Sequence, residues 1–89
     1  MSMNIYLATS YIRMHKKLIR KNPRLQTKVK TALALLQSDP QHSSLRLHKL
    51  TGTPFDDWSI SITRDIRIIF SYIQDGVLLS AIGTHDEVY

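Results

Sequence analysis

Alternating apolar and polar side chains in the second half of the chain constrain its fold more than any other feature. Trp58, Ile60 and Ile62 alternate with small hydroxyl residues, and apolar residues recur at every second position again from Ile66 to Tyr72. Successive side chains of a β-strand point to opposite faces of a sheet. The period of two therefore predicts neighbouring antiparallel strands with one buried face and one polar face.

A turn signal follows these strands. Asp75-Gly76 is a dipeptide that favours a tight two-residue hairpin, and it leads into a further apolar run from Val77 to Ile82. The second half of the chain therefore predicts a meander of three strands.

The first half predicts one strand followed by two helices. Asn4 to Ala8 has the β-branched and aromatic character of a short strand. Ser10 is a candidate N-cap for an amphipathic, basic helix that ends near Lys21. Asn22-Pro23 favours a second helix start, and Asp39-Pro40 closes that helix, because proline disfavours helical geometry at the residue before it.

We therefore predict an α+β fold with a small, twisted antiparallel sheet, made of the N-terminal strand and the C-terminal three-strand meander. This sheet packs against a two-helix N-terminal hairpin, and its other face stays uncovered. Residues 41–55 mix polar and apolar side chains without a period, and Gly52 and Pro54 mark this stretch as an irregular connection. The whole chain, residues 1–89, is expected to form a single domain.

The composition excludes several classes of protein. The chain has no cysteine, which excludes a disulfide framework and the usual cysteine-rich zinc finger. No apolar run approaches the roughly 20 residues that a membrane span needs. We expect a soluble, cytoplasmic protein that has no membrane partner and no small-molecule cofactor.

Basic residues dominate the first half of the chain. The formal net charge is +5, and no acidic residue precedes Asp39. Such a one-sided charge favours a polyanionic partner, either nucleic acid or an acidic protein chain. The alternative is a solvated helical surface, since charge alone does not define a function.

The strand alternation also predicts a polar patch. If Ile66 and Ile68 are in the core, then Asp65 and Arg67 lie on the uncovered face. Ser61 and Thr63 of the preceding strand are expected to point the same way. A weak surface ion pair is the alternative interpretation of Asp65 and Arg67.

Two of the four histidines lie next to the predicted sheet. His48 precedes it in the chain, and His85 follows its last strand, so both are expected to approach one site at the edge of the sheet. Imidazole exchanges protons near neutral pH, and RNA cleavage needs a proton removed from the 2′-hydroxyl and another donated to the departing 5′-oxygen. For His15 and His42 we expect incidental surface roles.

Two further side chains suit an RNA-cleaving site. The planar guanidinium of Arg67 can bind phosphate oxygens and stabilise the extra negative charge of an in-line transition state. The ring of Tyr89 can stack on an RNA base. The parity of Trp58 with Ile60 and Ile62 favours core packing over base stacking for Trp58.

A metal site is the alternative chemistry for this patch, with His48, Asp65 and His85 as possible ligands. The sequence has no cysteine, no His-x-x-x-His pair and no dense carboxylate cluster of the kind that metal hydrolases use. We therefore predict no metal.

In this order the segments resemble a known family. The resemblance to the RelE/ParE toxin superfamily covers almost the whole chain, and it is strongest to the YafQ/RelE-type mRNA interferase toxins of type II toxin–antitoxin systems. It is carried by the Leu50-Thr51-Gly52 loop, the strand that begins with Trp58, the Asp65–Phe70 segment, and Gly83-Thr84-His85 before Val88-Tyr89. Four positions match the YafQ-type pattern: His48, Asp65, His85 and Tyr89.

The resemblance implies a function. It implies a ribosome-dependent, metal-independent endoribonuclease that cleaves messenger RNA in the A site by 2′-hydroxyl attack and so inhibits translation. It also implies that His85 is the acid, that Asp65 or His48 is the base or its orienter, and that Arg67 matches the arginine that clamps the phosphate.

Two partners are implied as well: an inhibitory antitoxin protein, and the ribosome with its mRNA and rRNA. The residues expected to contact RNA or the ribosome are Arg13, Lys16, Lys17, Arg20, Lys21, Lys28, Arg46, Lys49 and Arg64.

The chain departs from the family pattern in two places. The YafQ-like pattern has another histidine in the Trp58 strand, where this chain has none, and RelE-type members carry more basic residues where Asp86 and Glu87 follow His85. Both departures leave the acid and base assignments open. Two other functions are alternatives: a ParE-like toxin that binds a DNA topoisomerase without cleaving nucleic acid, and a plain RNA-binding module.

Overall fold

The structure is a computed structural model that describes residues 3–52 and 55–89. Its elements in chain order are β1 (Asn4–Leu7), α1 (Thr9–Lys21), α2 (Leu25–Ser38), a 3₁₀ turn (Ser43–Leu45), β2 (His48–Lys49), β3 (Asp57–Ser61), β4 (Ile66–Ile73), β5 (Gly76–Thr84) and α3 (His85–Val88). The predicted α+β architecture is confirmed. Two short elements, β2 and α3, add to what the sequence patterns predict.

All five strands belong to one sheet, in the order β1-β5-β4-β3-β2. The strands β2 to β5 pair antiparallel with their neighbours, whereas β1 pairs parallel with β5, from Asn4 opposite Gly76 to Leu7 opposite Leu79. The sheet is therefore mixed rather than purely antiparallel. Two helices separate β1 from the meander, so no hairpin constrains the direction of β1.

The sequence patterns predict where the long helices end better than where they begin. The first helix ends at Lys21 as predicted. Ser10 lies inside the first turn of α1, and its hydroxyl donates to the Ser80 carbonyl at 2.7 Å instead of capping the helix. The second helix begins at Leu25, whose N–H donates to the backbone carbonyl of Asn22 at 3.1 Å, so Asn22 acts through its backbone.

The core lies between the two long helices and one face of the sheet. It confirms the predicted parity, because Ile60, Ile66, Ile68 and Phe70 are all buried in it. Trp58 is only partly buried and packs against the edge of this core. The full buried cluster is Tyr11, Leu25, Val29, Ala32, Leu36, Leu45, Ile60, Ile66, Ile68, Phe70, Val77, Leu79 and Ile82.

The predicted two-residue hairpin is present, but its turn is formed by Gln74-Asp75, and Gly76 is the first residue of β5. A Cβ at Gly76 would lie 2.0 Å from the Asn4 carbonyl oxygen, so glycine is required there by the close approach of β1. The Asp75 carboxylate accepts from the Tyr6 hydroxyl at 2.7 Å, which fastens β1 to the turn.

The segment predicted to be irregular contains the 3₁₀ turn and β2. Pro54, one of the two loop signals in it, lies outside the described residues. Within residues 3–52 and 55–89, no helix combines the length and the apolar character needed to cross a bilayer.

Candidate functional site

The sheet face turned away from the long helices carries a polar row. Ser59 and Ser61 of β3 pair with Ile69 and Arg67 of β4, and the opposite parity of these strands fills the core. Arg67 donates through Nη1 to Ser61 Oγ at 3.0 Å. The hydrogen bond fixes a guanidinium that would otherwise be a flexible surface group.

A capping box fixes the C-terminal helix α3 at the end of β5. Glu87 Oε1 accepts from the Thr84 N–H at 2.9 Å, and the Thr84 side chain accepts from the N–H of Glu87. The Thr84 N–H and side chain, with the nearby Lys17 and Lys21, lower the pKa of Glu87. A Cβ at Gly83 would lie 3.0 Å from Glu87 Oε1, so Gly83 leaves room for this carboxylate to fold back.

The position of α3 determines where two of the predicted site residues, His85 and Tyr89, lie. The rings of His85 and Tyr89 meet edge to face, with centroids 4.3 Å apart. The Tyr89 hydroxyl donates to Ser59 Oγ at 2.8 Å, and Ser59 is fully buried. The His85 Nδ1 atom lies 3.7 Å from the Asp86 carboxylate, which is ion-pair distance when the ring is protonated.

His48 lies in β2, directly opposite Ser59. Its Nδ1 atom is 3.2 Å from the Arg46 carbonyl oxygen. A carbonyl oxygen only accepts hydrogen bonds, so Nδ1 carries the proton and Nε2 of neutral His48 holds the lone pair. Arg46 has a left-handed backbone, with φ of 48°, which is uncommon for a residue other than glycine.

Asp65 lies in the connection between β3 and β4. Its backbone N–H donates to Thr63 Oγ1 at 3.3 Å, and the neighbouring Ile66 N–H donates to the same oxygen at 3.1 Å. The side chain of Asp65 is exposed.

The five predicted site residues line two grooves. Asp65, Arg67 and His85 line one of about 350 Å³, which we call the His85 groove. His48 and Tyr89 line another of about 430 Å³, which we call the His48 groove. The two histidines therefore do not share one groove, and the Tyr89 ring, in contact with His85, connects the two.

The predicted RNA-contact residues are spread over several surfaces. Five are exposed on α1: Arg13, Lys16, Lys17, Arg20 and Lys21. Lys28 is exposed on α2, and Arg46 and Arg64 line a groove with Arg67. Lys49 Nζ lies 3.2 Å from the Asp56 carboxylate.

The other two histidines have structural partners. His15 is partly buried, with Nδ1 3.1 Å from the hydroxyl of the buried Tyr11, so the expected incidental surface role is wrong for His15. Burial lowers the pKa of His15 and raises the pKa of Tyr11 to about 12. His42 Nδ1 accepts from the Ser44 N–H at 3.2 Å and so caps the 3₁₀ turn.

Ser59 and Glu87 are two further residues of the site, and the sequence patterns assigned no role to either. Ser59 has the same parity as Ser61, so the strand alternation already carried the signal that places it on the polar face. Thr84-x-x-Glu87 matches the capping-box pattern, which was the available signal for Glu87.

The possible metal ligands do not form a cluster. Within the described ranges, no three histidine, aspartate or glutamate side chains lie close enough together to hold a metal ion. His48, Asp65 and His85 are therefore not a preformed ligand set.

No family model and no curated protein sequence matches the chain, but solved structures do. A crystal structure of the E. coli DinJ–YafQ toxin–antitoxin complex matches with a TM-score of 0.81 and 19% identity, over 100% of this chain and 99% of the other. A copper-bound mutant toxin from Helicobacter pylori matches with a TM-score of 0.78 and 20% identity, over 98% and 99%. The YoeB dimer from Staphylococcus aureus matches with a TM-score of 0.72 and 13% identity, over 96% and 99%. The chain therefore has the RelE-like fold of the YafQ and YoeB toxins.

Proposed function

We propose that this chain is the toxin of a type II toxin–antitoxin pair and acts as an endoribonuclease on messenger RNA in the ribosomal A site. The observation that carries the proposal is the His85 groove, where a fixed arginine, a histidine and a carboxylate meet. The shared fold with toxins supports it, but a fold by itself does not define a reaction.

The proposed reaction needs two proton transfers. A base takes the proton of the 2′-hydroxyl, the 2′-oxygen attacks the adjacent phosphorus, and the bond from phosphorus to the 5′-oxygen breaks. An acid then protonates the departing 5′-oxygen, which leaves a 2′,3′-cyclic phosphate and a free 5′-hydroxyl. Side chains with pKa values near neutrality can perform both transfers.

We assign the base to His48. Attack in line with the departing oxygen requires the base and the acid on opposite sides of the phosphorus. His48 lines one groove with Tyr89, and His85 contacts the Tyr89 ring while lining the other groove, which Asp65 shares. The hydrogen bond to Arg46 leaves Nε2 of His48 as the atom that accepts the proton.

His85 is the proposed acid, and Arg67 is the proposed phosphate clamp. The Asp86 carboxylate near His85 Nδ1 forms an ion pair with the protonated ring, which is the form that donates. The Ser61 hydroxyl orients the guanidinium of Arg67 before substrate arrives, so less side-chain freedom is lost on phosphate binding. Asp65 faces the same groove and can orient His85 or the 2′-hydroxyl.

We propose two partners for the toxin, which would act in the cytoplasm. DinJ–YafQ is a toxin–antitoxin complex, which supports an antitoxin as the inhibitory partner here. The ribosome is the second partner, and the exposed cations of α1 suit its RNA. The groove between α1 and the end of β5, lined by Arg13, Lys17 and Lys21, belongs to this surface.

Growth inhibition by matched histidine variants tests the proposal. His85→Asn removes the proposed acid, and His42→Asn makes the same change at a histidine that caps the 3₁₀ turn, where asparagine can still cap. We expect the His85 variant to lose growth inhibition and the His42 variant to retain it, with both proteins folded. Retained toxicity of the His85 variant, with DNA damage in place of shortened transcripts, would refute the nuclease in favour of a topoisomerase-binding toxin.

A further inference from the structure

Beside the His85 groove lies another polar groove, of about 450 Å³, that carries three arginines. We call it the arginine groove, and its lining side chains are Ser44, Arg46, Ser61, Ile62, Thr63, Arg64 and Arg67. None of the described residues that line it is acidic. The positive charge of this groove is therefore not neutralised by its own walls.

The two grooves are neighbours that share lining residues. Arg64 and Arg67 line both of them, so an anion held by Arg67 next to His85 borders directly on the arginine groove. The hydroxyl of Ser61, which accepts from Arg67, also lines the arginine groove. Two linked phosphates of one RNA strand would therefore lie in neighbouring grooves that have Arg64 and Arg67 in common.

The backbone at Arg46 is the second observation. Arg46 ends the 3₁₀ turn in the left-handed conformation, with φ of 48°. Glycine, which has no Cβ, would end the turn there with less steric cost than arginine does. Unfavourable backbone conformations of this kind gather at functional sites. The arginine at this position adds a third guanidinium to the groove.

We propose that the arginine groove is a subsite for the RNA phosphate next to the scissile one. Guanidinium groups bind phosphate oxygens through two parallel hydrogen bonds, and the hydroxyls of Ser61 and Thr63 can donate further ones. The ligand is a single-stranded RNA backbone with at least two phosphates, one at Arg67 and one at Arg46 and Arg64. This inference rests on the proposed function, because the nuclease site supplies the first phosphate.

Binding of short, uncleavable RNA tests the subsite. Fully 2′-O-methylated oligonucleotides with one or two internucleotide phosphates are titrated by NMR against the wild type and against Arg46→Gly and Arg64→Ala. Glycine keeps the left-handed backbone at position 46 while removing the guanidinium. Arg24→Ala is the matched control, since it removes the same charge from an exposed residue that does not line the groove.

The second phosphate should strengthen binding to the wild type and to the Arg24 variant by about tenfold, the effect of one charge-assisted hydrogen bond. It should give little gain in the two groove variants. With longer oligonucleotides, each groove variant should lower the slope of log affinity against log salt by about 0.7, the value for one lost phosphate contact with a single strand.

Two results would overturn the inference. Equal losses of affinity in all three variants would mean that binding depends only on the net charge of the protein. Unchanged binding to free RNA, with weaker binding of the groove variants to ribosomes, would mean that the groove holds ribosomal RNA instead. The assay does not depend on cleavage, so a wild type that gains from the second phosphate but never cleaves RNA would refute the nuclease and leave the subsite intact.

Discussion

The hydrogen bond from Tyr89 to Ser59 holds α3 against the sheet, and it can be removed by deleting a single oxygen. Tyr89→Phe keeps the ring that contacts His85 but removes the donor to Ser59 Oγ, a bond of 2.8 Å between residues 30 positions apart. Ser59 is fully buried, so its hydroxyl then has no water to replace the lost partner.

The burial of Ser59 determines how much stability Tyr89→Phe should lose. Leaving a buried polar group without a partner costs about 1–3 kcal/mol, and we expect about 1.5 kcal/mol here because one hydroxyl is affected. For a domain of this size that corresponds to a decrease of about 6–12 °C in melting temperature. Ser59→Ala should cost less, about 0.5–1 kcal/mol, because Tyr89 is half-exposed and its hydroxyl can bind water. The double variant should be less destabilised than the sum of the two, by about 1 kcal/mol.

Urea unfolding of the four proteins, followed by circular dichroism, measures these differences. Tyr72→Phe is the control, because Tyr72 is exposed and its ring packs edge-on against Trp58 and Phe70, contacts that the change preserves. We expect it to alter stability by less than about 0.5 kcal/mol. If Tyr89→Phe matches Tyr72→Phe and the Tyr89 and Ser59 effects simply add, then Ser59 does not hold the C-terminus.

Three further predictions concern other parts of the fold. Gly76→Ala should lower the free energy of unfolding in urea by about 2–3 kcal/mol, because the new Cβ would clash with the Asn4 carbonyl oxygen and force β1 away from β5. A decrease below about 0.5 kcal/mol would show that β1 can move away at little cost. Because the pKa of Glu87 is lowered from its ordinary value of 4.5, its contribution to stability is present above that pH and is lost as the pH falls further. Glu87→Gln should therefore make the free energy of unfolding less pH-dependent below about pH 4.5. If the variant loses stability with falling pH as steeply as the wild type, then the Glu87 carboxylate does not stabilise α3 through the capping box. Nitrogen NMR of the His48 ring should show the proton on Nδ1 in the wild type and in Arg46→Gly. Arg46→Val should give a mixture of tautomers, since β-branched residues avoid the left-handed region. Identical tautomers in all three proteins would show that the backbone at position 46 does not set the tautomer of His48.

Local patterns predicted the strands of the meander and their buried face. The alternation at Ile60, Ile66 and Ile68 depends only on side-chain geometry within a strand, and these residues are in the core. The turn before β5 was predicted one residue late, because Gly76 is required by contact with Asn4, which is distant in sequence. A dipeptide pattern contains no information about such a long-range approach.

The site was less predictable than the fold. The polar row with Arg67 and Ser61 follows from strand parity, so the sequence could supply it. The division of His48 and His85 between two grooves depends on where β2 and α3 begin, and both elements are too short for a periodic signal. The tautomer of His48 depends on the backbone conformation of Arg46, which no residue pattern specifies.

The most direct test of the account is primer extension on a transcript that is translated in a purified system. With the wild-type protein, we predict new 5′ ends within codons at the A site of stalled ribosomes, and none without ribosomes. The His85→Asn variant should produce none, and His42→Asn should cleave as the wild type does. Full-length transcripts with the folded wild-type protein bound to ribosomes would contradict the claim that this chain is a nuclease.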